Sequence, residues 1–346
     1  MDKDQYIPSL DGLRGFAAFA VVLSHMGLLL GHSLPWLMVG DEAVALFFAL
    51  SGFLMAMLYG GKTFTAKAAG GYLLHRFARI YPIYFIAVAF VVLLSALPGL
   101  DYIQPISGTV QIVRHFAMIG STGVFWSIPP EIQFYLFFLL LWLCFDNPAG
   151  RQILVITLLC GFAIVLFLGF PGPGILLPSK IPYFLFGALA GRLFLGKRLP
   201  LGHGVSGPAT LVLLVLFFLS RNLYPTGAPF WGVPSALIAT IIVYLAACEA
   251  PLSKAVLTST PLRFAGRISF SLYLFHMPVG FLVVTALPTS VPPLVAAALM
   301  VAAAITVATA THYAIERPAR RRVLGLWKGL PAHGAAIAGA GSLSKG

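Results

Sequence analysis

SLDGLRGFAAFAVVLSHMGLLLG, residues 9–31, is the stretch on which the fold turns. From Leu13 to Gly31 it is an apolar run close to the roughly 20 residues a membrane-crossing helix needs, and its only ionisable side chains are Arg14 and His25. Other long apolar runs follow it. Over 346 residues, 59% are hydrophobic and only 9% charged, against roughly 25% charged in a soluble domain, so the chain cannot dress itself in a water-facing surface. Barrel strands would show short alternating segments, and these are absent. The sequence predicts an all-α polytopic membrane protein.

Ten apolar segments can be drawn, at about 13–31, 42–60, 78–97, 127–145, 152–170, 180–196, 208–222, 231–248, 268–287 and 293–313. With the N-terminus placed in the cytoplasm, only Arg114, Lys180 and Arg221 of the 22 Lys and Arg residues fall on the outer side. That asymmetry predicts an even number of spans, about ten, with N- and C-termini both cytoplasmic. It also accounts for the net charge of +12 without nucleic acid. Cys144, Cys160 and Cys248 lie in apolar stretches with no metal-ligand spacing, so they read as small buried hydrophobes and no metal is expected. Residues 1–328 are expected to form one transmembrane domain and 329–346 a disordered tail of small residues. The long outer connection at 98–126 is expected to hold a short interfacial helix.

An ionisable group in the hydrocarbon region is costly and by default points to function. His25, Glu131 and His276 are such groups, and Arg14, Arg76 and Arg79 lie near span ends. Arg14 and His25 are eleven residues apart, about three helical turns, so they share a face with His25 about 16 Å deeper, near mid-membrane. Arg76 and Arg79 share a face at the expected mouth of span three. His276 is expected about 12 Å deep from the same side, and Glu131 above both histidines. A basic cytoplasmic entrance of this kind suits the phosphates of a donor such as acyl-CoA. A neutral histidine beyond it can take the proton of an attacking hydroxyl.

Ser9-Leu10-Asp11-Gly12-Leu13-Arg14-Gly15 followed by His25 resembles the start of the membrane acyltransferase-3 family, the O-acetyltransferase type of bacterial envelope proteins. Phe47–Phe53, Arg76-Phe77-Ala78-Arg79-Ile80-Tyr81-Pro82, Trp126-Ser127 with Glu131, Ser269–His276 and Glu316-Arg317-Pro318 resemble its later elements, in order. Pro129-Pro130 departs from the usual pair before Glu131. The resemblance implies a multi-pass protein of the bacterial inner membrane that moves an acyl group, acetyl by analogy, from cytoplasmic acyl-CoA to a hydroxyl of a carbohydrate or lipid-linked glycan. It also implies that the first-span histidine, His25, is essential. The simplest mechanism then has His25 as general base, Arg14, Arg76 and Arg79 clamping the donor, and Glu131 and His276 placing the acceptor. Some relatives carry a fused extracellular esterase-like domain. The sequence ends before one, so handover is expected within the membrane domain or with a partner.

Blander roles stand beside these. Arg76 and Arg79 also fit positive-inside anchors, His276 a buried histidine bonded to backbone, and Glu131 a helix-start carboxylate. The alternative function is a proton-coupled transporter or flippase using His25 and Glu131, favoured by the Pro/Gly breaks but not by any visible repeat. A homo-oligomer is allowed but not demanded.

Overall fold

A computed structural model describes residues 6–31, 37–147, 161, 163, 174–196, 202–223 and 230–329. Its helices are α1 (Pro8–Leu29), α2 (Gly40–Tyr59), α3 (Ala66–Ala96), the short α4 (Thr109–Phe116), α5 (Ile128–Asp146), α6 (Ile181–Gly196), α7 (His203–Leu223), α8 (Val233–Ala247), α9 (Pro251–Leu257), α10 (Thr260–Ala286), α11 (Pro293–Thr311) and α12 (Arg317–Gly329). There is no strand among the described residues. Six stretches are long and apolar enough to cross a membrane: α1, α2, α3, Gly123–Asp146, α10 and Pro293–Leu326. The α8–α9 pair, bent by 97°, brings the number to seven if counted as one span, and two shorter apolar helices occupy Ile181–Gly196 and Gly204–Ser220. The protein is a multi-pass helical membrane protein. The expected fifth segment, 152–170, and residues 330–346 of the expected tail lie essentially outside the described residues.

Helix α1 begins earlier than the apolar run suggests. Pro8 stands in its first turn, where a missing N–H costs nothing. The Ser9 amide and hydroxyl both donate to the Glu249 carboxylate, at 3.3 and 3.1 Å. Glu249 turns the α8–α9 corner with φ of 50° and also binds Lys254 at 2.9 Å, so that corner anchors the start of α1.

Helix α3 likewise starts well before the apolar segment, at a Thr65 cap whose side chain accepts from the Ala68 amide. It runs 31 residues, so Arg76 and Arg79 lie within the helix, about three turns after its start. The hydropathy pattern stops at charged residues; the backbone hydrogen-bond ladder does not.

The tightest helix pairs meet through glycines, as expected where helices associate without a hydrophobic driving force. A Cβ on Gly12 would lie 1.6 Å from the Leu257 carbonyl oxygen, one on Gly15 2.1 Å from that of Leu262, and one on Gly266 2.0 Å from that of Asp11. These contacts seat α1 on α9 and α10. Gly52 of α2 with Gly187 and Gly191 of α6 makes the equivalent seam, at 2.1–2.3 Å. Gly266→Val is expected to push α10 from α1 and destabilise the fold by about 1–3 kcal/mol or more. Thermal unfolding of the detergent-solubilised variant, compared with wild type, checks this; an unchanged midpoint would refute it.

The connection from α3 to α5 folds into the bundle. It contains α4 as expected, and it buries Tyr102, Ile106, Val124 and Phe125. The Ile106 amide donates to the Ser95 hydroxyl at 3.0 Å, and the Tyr84 hydroxyl to the His115 carbonyl at 2.8 Å. A 3-10 turn at Gly123–Ser127 then delivers the chain into α5, whose first turn holds Pro129 and Pro130. The inserted turn starts α5 deep in the protein, and this sets the depth of Glu131.

Candidate active site

Arg14, Arg76 and Arg79 converge. Together with Ser51, Glu131 and Tyr135 they line one cavity of about 100 Å3, and aromatic residues that include Phe47 and Phe48 complete its wall. Asp11, one turn earlier in α1, binds Arg14 at 3.2 Å and is itself held by the Tyr6 hydroxyl at 2.7 Å. Arg76 is 9% exposed, its guanidinium lies 5.9 Å from the Tyr135 ring centre, and its Nε finds no partner among the described residues. The Glu131 carboxylate accepts from the Ser51 hydroxyl at 2.6 Å and the Tyr135 hydroxyl at 2.5 Å. One carboxylate among three guanidinium groups leaves the cavity cationic.

Such a cavity fits part of an acyl-CoA. The buried Arg76 Nε offers an unused donor to an anion. Arg320, on the basic helix α12, lies within electrostatic reach of Arg76 and Arg79 and extends the cationic field beyond the cavity.

A second cavity, of about 350 Å3, is lined by Ser24, His25, Asp41, Gln104, Trp126 and Tyr273 among others. Trp126 is also part of an aromatic box around Lys180, which stands in the connection before α6. The ammonium lies 3.8 Å from the Trp231 ring centre and 5.6 Å from that of Trp126. Burial pushes it down to about 8, with Asp41 pulling the other way. Asp41 acts electrostatically on His25 too. A carboxylate, an amide, a hydroxyl and a tryptophan edge around an imidazole suit a polyhydroxylated ligand.

His25 and His276 meet, Nδ1 of the first lying 3.2 Å from Nε2 of the second. His276 is 1% exposed and lines neither cavity; it stands behind His25. The relative levels of these groups follow from the helices that carry them. Helix α1 starts at Pro8, so His25 lies about 10 Å past the helix midpoint, toward Leu29. Glu131 is not above the histidines. His25 is level with Gly40, whose added Cβ would fall 3.9 Å from the His25 ring and whose amide donates to Ser24 at 3.2 Å. Glu131 is level with Ser51, eleven residues further along α2, or about 16 Å toward the arginines.

The two cavities lie back to back and share Val44 and Tyr273. The Tyr273 hydroxyl donates to the Val124 carbonyl at 2.8 Å and accepts from Ser127 at 2.8 Å, so the 3-10 turn and α10 hold this partition together. Tyr135 and Tyr273 were legible in principle, since Tyr135 is four residues after Glu131 on one helix and Tyr273 three before His276. Ser51, Asp41 as a cavity residue, and Arg320 come together only in three dimensions.

The family model described as an acyltransferase domain matches residues 7–313. The peptidoglycan O-acetyltransferase OatA of Listeria monocytogenes is 25% identical, over 92% of this chain and 56% of its own length. The putative peptidoglycan O-acetyltransferase YrhL of Bacillus subtilis is 25% identical, over 91% of this chain and 55% of its own. A Rhizobium radiobacter protein, protein 2 in the picA locus, is 43% identical over 23% of this chain and 41% of its own length. The chain thus spans about half the length of the OatA and YrhL relatives. No solved structure matches it. A family match running from the first helix through α11, over the elements that carry the arginines and histidines, makes the chain a member of the acyltransferase-3 family.

Proposed function

We propose that the protein is a transmembrane O-acyltransferase that takes an acyl group, acetyl by analogy with its relatives, from cytoplasmic acyl-CoA and delivers it to a hydroxyl of a carbohydrate on the other side. Peptidoglycan, named for the relatives, is the first acceptor to try. The observation that carries the reading is the pair of cavities back to back, one with three arginines and the other with the histidine, sharing Val44 and Tyr273. In this reading Arg14, Arg76 and Arg79 hold the donor and Glu131 fixes the cavity between them. His25 takes the acceptor's hydroxyl proton as that oxygen attacks the thioester carbonyl carbon. The C–S bond then breaks, and the proton returns from the imidazolium to the CoA thiolate, leaving an ester and a thiol.

The same reading sets the topology at ten spans, with both termini cytoplasmic and the membrane the bacterial inner one. The six long helices, the bent pair and the two shorter helices coincide with nine of the ten apolar segments, and the tenth is the apolar run 152–170. Both cavities then face the sides their chemistry requires.

The test uses the full chain in vesicles with labelled acetyl-CoA supplied to the arginine side and glycan strands to the other. Alkali-labile label on the glycan, with one thiol released per ester, is the expected result. Glycan movement without donor consumption would replace the enzyme with a carrier.

A further inference from the structure

The hydrogen bonds of the two histidines fix where their protons are. A carbonyl oxygen can only accept. His276 Nδ1 lies 2.8 Å from the Tyr273 carbonyl and 3.2 Å from that of Leu272, so it carries the proton, and in the neutral ring Nε2 is left as an acceptor. His25 Nδ1 lies 2.9 Å from the Val21 carbonyl and 3.2 Å from His276 Nε2. Both neighbours are acceptors, so His25 Nδ1 carries the proton as well. His25 Nε2 then holds the bare lone pair, and it has no hydrogen-bond partner among the described residues. The ring bearing it lines the larger cavity.

We infer that His276 is a positioning residue that holds His25 as its Nδ1–H tautomer, so that the bare Nε2 is presented to the acceptor cavity. This rests on the acyltransferase reading above and replaces the acceptor-placing role that the sequence suggested for His276. The chemistry is that of a base oriented by a third group, with a neutral imidazole where a carboxylate would be usual. When Nε2 takes the hydroxyl proton, the ring becomes an imidazolium whose Nδ1–H already points at two acceptors, the Val21 carbonyl and His276 Nε2. The accepted proton stays on Nε2 until the thiolate receives it, so no proton need enter or leave the pair. The charged group acting on His25 from the neighbouring helix is Asp41; His276 itself is met by His25.

Nitrogen NMR of the full chain, labelled on histidine and held in lipid, reads the tautomer without reference to activity. A protonated Nδ1 and bare Nε2 on His25 are expected, and the reverse assignment overturns the inference. In the transfer assay, His276→Leu should lower kcat about 10–100-fold, the loss of one hydrogen bond to a charge-bearing ring, with KM for acetyl-CoA unchanged. His276→Gln, whose amide oxygen can accept from His25, should recover most of that loss. A folded His276→Leu enzyme with wild-type kcat, or a rise in donor KM alone, contradicts it; if the Leu variant does not fold, the wild-type spectrum and the Gln variant still decide. Absence of transfer by wild type would sink the function proposed above, while the spectrum would still answer for the tautomer.

Discussion

His25→Ala abolishes acyl transfer, by about 100- to 10,000-fold, while the abundance of the protein in the membrane stays unchanged. The magnitude is that of removing a positioned general base. Stability should hold because His25 is only partly buried and lines a cavity, so truncation enlarges existing space instead of opening a new void in packed side chains. The bonds it gives up, to the Val21 carbonyl and to His276, are peripheral to the glycine seams that hold α1 in place. Thiol release from acetyl-CoA with acceptor present, measured beside a quantitative blot of membranes, gives both numbers. Retained transfer at normal abundance would take His25 out of the chemistry.

Arg76→Ala combined with Arg79→Ala weakens acetyl-CoA binding by about 100-fold or more. Each guanidinium offers charge-assisted hydrogen bonds, and losing two of these at about 1.5–3 kcal/mol each multiplies Kd by at least that factor. The remaining affinity should depend less on ionic strength than that of wild type, because part of the cationic attraction that salt screens has been removed. Arg14 and Arg320 stay in place and keep some of it. Titration of the donor at two salt concentrations reads both effects, and an unaltered Kd would contradict the clamp. The buried Arg76 Nε, without a partner among the described residues, suggests that Arg76 carries the larger share.

The helical class and most segments were legible because a lipid environment writes itself into composition: nine of the ten apolar runs coincide with helices or with the bent pair. Helix ends were not. Pro8 and Thr65 start α1 and α3 well before hydropathy does, since capping and packing, not apolarity, decide where a ladder begins. The Asp11–Arg14 contact joins positions three residues apart, which the helical period brings to one face. The basic entrance of Arg14, Arg76 and Arg79 follows from their places near span ends, and their side chains do line one cavity. Glu131 was placed at the wrong depth because nothing in the sequence reveals that residues 123–127 turn inside the protein before α5 starts. His276 was singled out, yet its contact with His25 joins positions 251 residues apart, a meeting that only the α1–α10 packing creates.

The wall shared by the two cavities has an electrical consequence. A bilayer drops its voltage across whatever low-dielectric thickness separates the aqueous sides, and water entering from both faces would shrink that thickness to the neighbourhood of Val44 and Tyr273. Any ion driven through so thin an insulator would do or receive work of roughly 2.3 kcal/mol per elementary charge for every 100 mV. An acyl group carries no charge. In the proposed transfer it would change sides there in exchange for the hydroxyl proton, with no net charge moved, while the donor's phosphates stayed on the face where they began.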